Sequence, residues 1–423
     1  MKKCVLLSTL LFIKLSFSLA QQYGWVNISY KLPDFPNDTF TYAGGQTGIS
    51  SLNDIYFIND NEGWITTWHP LSTGDFAILH TTDGGETWDV FPIEQEINCV
   101  GMATSTRGYV GGNGGLMYET HNGLTWEYMF QPLTQNIFDI AFPQGNDPMA
   151  TGYAVGGGAG EPSMLASISP DEIKEIETPW YGEWQSISVA SPEILWITGN
   201  NEVTRWNTTT SEGTLNNPAG VTTSYLSLSF INENEGWVAE NWNVYHTADG
   251  GNSWDQQTDT SGILTLLSID FLDNLHGWVV GSIGLIKTTD GGQNWNQETI
   301  PVDPQENWLH KVQFTSLHNG YIIGANKTLL KYTMITGIEE IKVADVEVYP
   351  NPTRGVVGIQ SLVVGQRSVN VKITDLYGNV LAITPCQLPA ANCQLDISHL
   401  PAGVYFLRIN LENRMIVKKI VKL

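Results

Sequence analysis

The sequence predicts an all-β chain, a seven-bladed β-propeller followed by a small Ig-like β-sandwich. Three observations carry that expectation. A Gly-aromatic step recurs at nearly constant spacing, no segment sustains a 3.6-residue apolar period, and charge and tryptophan content change abruptly near residue 337. The expected boundaries are an export signal over 1–20, the propeller over 21–336, a linker over 337–345 and the sandwich over 346–423.

The N-terminus comes first. Lys2 and Lys3 precede a mostly apolar run over 5–17, and Ser18-Leu19-Ala20 is a small-residue cleavage pattern, so removal after Ala20 is expected. The run is shorter than the roughly 20 residues of a membrane span, and Lys14 interrupts it. No other run of 18 apolar residues occurs, so no transmembrane segment is expected in the mature chain. Cys4 precedes the apolar run and cannot be a lipoprotein cleavage cysteine.

The repeats come next. The steps Gly63-Trp64, Gly108-Tyr109, Gly152-Tyr153, Leu195-Trp196, Gly236-Trp237, Gly277-Trp278 and Gly320-Tyr321 set the aromatics 45, 44, 43, 41, 41 and 43 residues apart. Each unit parses into four short runs of β-branched and aromatic residues, in the first unit over 54–58, 63–67, 76–80 and 87–91. Four strands per unit at this period describe a propeller blade. The seventh unit stops after three strands, and the mature start, Trp25 to Tyr30, resembles the fourth strands of other units. Its pairing there would close the ring and remove the free edges.

Between third and fourth strands, units one, five and six share a turn. It reads Thr81-Thr82-Asp83-Gly84-Gly85-Glu86-Thr87-Trp88, Thr247-Ala248-Asp249-Gly250-Gly251-Asn252-Ser253-Trp254 and Thr288-Thr289-Asp290-Gly291-Gly292-Gln293-Asn294-Trp295, with a worn copy at Thr120 to Trp126. A carboxylate can accept turn N–H groups, paired glycines permit positive φ, and the tryptophan packs between blades. Asp83, Gly85, Trp88, Asp249, Gly251, Trp254, Asp290, Gly292 and Trp295 are therefore read as turn locks. These boxes, with the Gly-aromatic steps, resemble the Asp-box (BNR-repeat) propellers of the photosystem II assembly factor-like family. The resemblance implies that the boxes are structural and lie opposite the ligand face.

The tail differs in kind. Residues 21–336 hold 36 acidic and 8 basic side chains, those after 336 hold 7 and 9, and all 15 Trp lie in the acidic part. Tyr349-Pro350-Asn351-Pro352, the turn Asp375-Leu376-Tyr377-Gly378, Leu400-Pro401-Ala402-Gly403-Val404-Tyr405 and the basic ending at Lys418, Lys419 and Lys422 separate alternating apolar strands. This pattern resembles the type IX secretion (Por) C-terminal sorting domain, type A. The resemblance implies export through the periplasm and across the outer membrane, with the mature protein secreted or attached at the outer surface. Cys386 and Cys393 bracket six residues, would meet across a tight hairpin, and are a candidate disulfide in an exported chain. Cys99, in a strand pattern, reads as a small buried hydrophobe.

A formal charge of −23 repels phosphate backbones, so nucleic acid is excluded as a partner. No zinc spacing, complete calcium loop, phosphate-binding loop or dinucleotide fingerprint occurs, so no metal or cofactor is expected. The loops joining strands two and three, and blade to blade, share one face. That face should present Trp68, His69, Glu161, Trp180, Tyr181, Trp184, Glu202, Asn241, Trp242 and Trp308, with Asn243 and Lys327. Aromatic platforms beside carboxylates and amides suit a sugar or a protein anchor. With only Arg107 and Arg205 in the propeller, the arginine triad of sialidases is absent. The function expected is non-catalytic binding of a glycan or protein at the cell surface by a monomer routed by the type IX machinery. The alternatives are a secreted glycoside hydrolase using a carboxylate pair on the loop face, and a surface assembly or adhesion factor docking another protein.

Overall fold

The computed structural model describes residues 23–33, 39–41, 47–49, 51–68, 76–130, 132–199, 201–218, 225–240, 242–257, 265–281, 284–335, 346–361, 367–375, 380–388, 393–411 and 414–423. The export signal and the linker lie outside them.

Among the described residues, seven four-stranded antiparallel sheets occur before residue 336. Blade 1 comprises Ser51–Phe57, Gly63–Trp68, Phe76–Thr81 and Asp89–Ile93. Blade 2 comprises Ile97–Met102, Gly108–Gly112, Met117–Thr120 and Glu127–Met129. Blades 3 to 6 begin at Asn136–Ala141, Trp184–Val189, Tyr225–Phe230 and Leu266–Phe271. The first strand of each blade packs against the first strand of the next, and that of the seventh against that of the first. The first strands therefore form a closed ring.

Blade 7 holds Leu309–Ser316, Asn319–Gly324 and Thr328–Met334, and Tyr23–Asn27 completes it. The N-terminal strand runs antiparallel to the third, from Tyr23 opposite Met334 to Asn27 opposite Leu330. The strand expected to reach Tyr30 ends earlier. The Asn27 side chain accepts the Ser29 N–H at 2.9 Å and turns the chain into a single 3₁₀ turn over Ser29–Lys31.

The Gly-aromatic steps fill the blade interfaces. Tyr321, Trp196, Trp237 and Trp278 each stack on a phenylalanine in the first strand of the following blade: Phe57, Phe230, Phe271 and Phe314, at 3.8, 4.2, 3.5 and 3.5 Å. Each of those phenylalanines also lies against the step glycine of its own blade. A Cβ on Gly63, Gly236, Gly277 or Gly320 would come within 2.3–2.6 Å of the ring. The glycine makes room for a ring held flat by the neighbouring blade. Trp64, Trp196 and Trp237 also donate their indole N–H to carbonyls of the next blade, those of Gly123, Glu233 and Gly291.

Short side chains on the first strands tie blade to blade. Asp54 accepts the Val100 N–H, Asp139 the Ile187 N–H, Ser227 the Ile269 N–H and Asp270 the Phe314 N–H. Lys311 of blade 7 pairs with Asp54 of blade 1 at 2.8 Å. Burial opposes the lysine charge, but the carboxylates of Asp54 and Asp139 outweigh it and raise the ammonium pKa. Cys99 is buried in the core between blades 2 and 3, as expected.

The C-terminal part folds as two sheets. Val346–Tyr349, Val356–Ser361 and Cys393–Asp396 form one, and Val380–Leu388, Arg367–Thr374, Gly403–Leu411 and Arg414–Lys422 the other. Val357, Ile359 and Leu395 from the first meet Val371, Ile373, Leu407 and Ile420 from the second in one core. Tyr405 donates its hydroxyl to the Pro401 carbonyl at 2.8 Å and pins the Leu400-Pro401 turn. The hairpin expected to join Cys386 and Cys393 does not form. Cys386 pairs opposite Val369 in one sheet and Cys393 opposite Ile359 in the other, so the chain crosses between sheets there. The two thiol positions lie outside the described side chains.

Candidate functional site

The Asp boxes connect third to fourth strands. The connections between second and third strands, and between consecutive blades, lie at the opposite ends of the strands and form the loop face. In the first box, Thr81 Oγ1 donates to Asp83 Oδ1 at 2.9 Å and accepts the Gly85 N–H at 2.9 Å. Asp83 accepts the Thr87 N–H at 2.8 Å and the Thr87 hydroxyl at 2.6 Å. Gly84 and Gly85 hold φ of 71° and 87°, which other residues adopt only with strain. Asp249 takes the same bonds from Ser253 and Thr247, and Asp290 from Asn294 and Thr288. Desolvation opposes it, yet the Thr87 and Thr81 bonds bring the Asp83 carboxyl down to about 2. The Trp88 indole donates to Gly85 O, and the Trp254 indole reaches Asn216 O of blade 4 at 2.7 Å. Trp295 meets Phe271 edge-on. Each of these carboxylates is committed to its own turn.

On the loop face, the seam between blades 3 and 4 gathers Glu161, Trp180, Tyr181 and Glu202. Pro162 and Tyr181 form an isolated antiparallel bridge, Gly182 N–H donates to Glu161 O at 2.9 Å, and Ser163 N–H to Trp180 O at 2.9 Å. Trp180 is half-buried, with its ring against Trp184 and Trp206 and over Gly213. Glu202 opens the third strand of blade 4 opposite Gly199, which packs on the backbone of Glu183 and Trp184. One Glu202 carboxylate oxygen is buried without a hydrogen bond, and burial raises the carboxyl pKa. Further round the ring stand Trp242, beside the Asn243 to Glu240 hydrogen bond of 3.1 Å, and Trp308, whose carbonyl accepts the Ala325 N–H. Tyr181, Trp242 and Trp308 are 64%, 57% and 55% exposed.

Two expected contact residues serve other ends. Trp184 is fully buried, because the first strand of blade 4 begins with it and its ring fills the core between blades 3 and 4. Trp68 is half-buried, and its indole donates to Glu96 Oε1 at 2.7 Å. His69 and Asn241 lie outside the described residues. The sequence reading passes over Tyr128 and Phe130, exposed aromatics at the end of the fourth strand of blade 2. Their position beyond the worn box, where units five and six carry polar residues, is the signal that could single them out. Among the described residues, no group of three or more His, Cys, Asp or Glu side chains is placed to hold a metal ion.

Residues 256–343 match the family described as photosynthesis system II assembly factor YCF48, and residues 347–423 match the secretion system C-terminal sorting domain. No curated protein matches the chain. Among solved structures, YCF48 from Cyanidioschyzon merolae is 18% identical, with 73% of this chain and 98% of that chain covered and a TM-score of 0.56. A structure of YCF48 bound to D1 peptide is 17% identical over 71% and 98%, with a TM-score of 0.54. The GH74 enzyme of Niastella koreensis is 15% identical over 88% and 66%, with a TM-score of 0.50. At these identities the likeness is one of fold. The sorting domain marks the chain for type IX secretion, to the cell surface or the medium. Among the described residues, no helix is long and apolar enough to cross a membrane. The chain is a YCF48-like Asp-box propeller that ends in a type IX secretion C-terminal sorting domain.

Proposed function

We propose that the exported propeller binds a glycan or protein ligand on its loop face without transforming it. The observation that carries this reading is the exposure of Tyr181, Trp242 and Trp308 at the loop-face ends of rigid blades. Aromatic rings fixed at strand ends stack on the C–H faces of sugars or anchor a partner chain at low entropic cost. Glu161 and Glu202 supply acceptors on the blade 3–4 seam.

The test is a glycan array, with a parallel pull-down from outer-membrane fractions, using the mature chain from Gln21. Tyr181→Ala, Trp242→Ala and Trp308→Ala should each weaken capture by about fivefold to a hundredfold, at roughly 1–3 kcal/mol per aromatic anchor. Captured glycan should be recovered uncleaved. Capture unchanged in all three variants would overturn the reading.

One observation favours a second reading. The raised pKa of Glu202 suits a general acid, and Glu161 lies on the same seam. A glycoside hydrolase would release reducing ends that Glu202→Gln or Glu161→Gln abolishes.

A further inference from the structure

One concavity lies away from the exposed aromatics just named. A pocket of about 420 Å³ opens between blades 1 and 2, lined by Phe76, Glu94, Glu96, Asn113, Leu116 and Tyr128 among others. We propose that this pocket receives the cationic side chain, lysine or arginine, of a partner polypeptide. The pocket lies on the loop face, between the blade 1–2 connection and the second-to-third-strand connection of blade 2, so the proposal rests on the binding reading of that face but not on Tyr181, Trp242 or Trp308.

Four features argue for it. First, the Glu96 carboxylate is held at both oxygens. Trp68 of blade 1 donates to Oε1 at 2.7 Å, and Asn113 of blade 2 donates to Oε2 at 3.0 Å. Asn113 is itself fixed by Asn98 Nδ2 at 2.9 Å, which also donates to the Ile137 carbonyl of blade 3. Neutral donors on two blades thus orient one negative charge without cancelling it.

Second, no lysine or arginine among the described residues forms an ion pair with Glu94 or Glu96. Asp54 and Glu298, by contrast, are paired with Lys311 and Lys287. Third, the walls fit the rest of a long basic side chain. Phe76 and Leu116 are buried and can take its methylene stem, whereas Tyr128 is exposed and stands edge-on to Tyr118 at 5.5 Å, offering a π face at the rim. Fourth, an excess of acidic over basic side chains of 36 to 8 across residues 21–336 raises the local concentration of cationic partners. A neutral sugar would leave both glutamates uncompensated.

The experiment measures fluorescence anisotropy of a labelled lysine octapeptide against the mature chain at low and physiological salt. Its Nε-acetylated counterpart and spermidine serve as competitors. Glu94→Gln/Glu96→Gln should weaken octapeptide binding at least about tenfold, the scale of a lost charge-assisted contact, and Tyr128→Ala should weaken it severalfold. Glu175→Gln/Glu177→Gln removes the same charge from the exposed edge of blade 3 and should change binding by less than about twofold. The acetylated peptide should not compete. Equal weakening by the two double variants would show that only the bulk charge attracts the peptide and would overturn the proposal. So would binding of spermidine without binding of the peptide. Glu94→Gln alone is the check on folding: Glu94 is exposed, so the single variant should keep the parent unfolding midpoint and still bind more weakly.

Discussion

The rings of Tyr321 and Phe57 stack at 3.8 Å and 10° across the seam where the seventh blade meets the first. The Tyr321 hydroxyl continues past Phe57 to donate to Gly84 O in the first Asp box at 3.1 Å. One side chain thereby joins the closing blade to the core and to the turn of the opening blade. Tyr321→Ala should cost about 3–5 kcal/mol in urea unfolding of the mature chain, the range of an emptied aromatic site. Tyr321→Phe, which removes only the hydroxyl, should cost about 0.5–1.5 kcal/mol. A loss below 1 kcal/mol for the alanine variant would contradict the packing described.

The step glycines should resist the smallest possible enlargement. A Cβ on Gly236 would lie 2.3 Å from the Phe230 ring, which Trp196 holds flat on its other side. Gly236→Ala should therefore cost about 1–3 kcal/mol or more through overpacking. Gly158→Ala, where the nearest neighbour is the Glu161 side chain at 3.6 Å, should stay within about 0.5 kcal/mol. Thermal or urea unfolding of the two variants decides the comparison.

The spacing behind this packing was present in the sequence. Phe57, Met102, Phe230, Phe271 and Phe314 each stand six residues before their step glycine, and only Phe142, with a longer turn, breaks the interval. The period of the units, the four-strand parse and the closing strand were legible because they follow from local alternation and turn chemistry. Trp184 was misplaced because a tryptophan just after a loop looks the same in sequence whether it ends the loop or begins the strand. The pocket of Glu94, Glu96 and Tyr128 leaves no motif, since its walls come from two blades and Trp68 reaches it across a seam. The short interval between Cys386 and Cys393 suggests a hairpin, but Val380–Leu388 and Cys393–Asp396 pair in different sheets.

The Asp boxes should impart acid sensitivity. The Asp83 carboxyl is depressed to about 2, so its contribution is complete above the unfolded value of about 4 and is lost as the pH falls toward 2. Asp83→Asn should lower the melting temperature at pH 6, and the gap to the parent should narrow steadily between pH 4 and pH 2. A gap that does not depend on pH would mean that the charge of the turn acceptor is immaterial.

Asp270 should act in the opposite sense. Desolvation raises its carboxyl to about 7, although the Phe314 N–H and Lys311 favour the ionised form. The folded chain then binds a proton that the unfolded chain has released, so stability falls as the pH rises from about 4 to about 7. Asp270→Asn keeps a carbonyl oxygen for the Phe314 N–H and should flatten that part of the stability profile. A parent whose stability rises through this window, unchanged by the substitution, would refute the assignment.

Closure of the ring by the chain's own first strand underlies every placement on the loop face, and native-state hydrogen exchange measures it directly. The Ile28 amide donates to Leu329 O at 2.9 Å beside the Tyr23–Asn27 strand. In the mature chain it should exchange as slowly as the core-strand amides Val238 and Val279, whose opening requires global unfolding. Exchange at the rate of a frayed terminus, while Val238 and Val279 stay protected, would contradict closure of the propeller by its N-terminal strand.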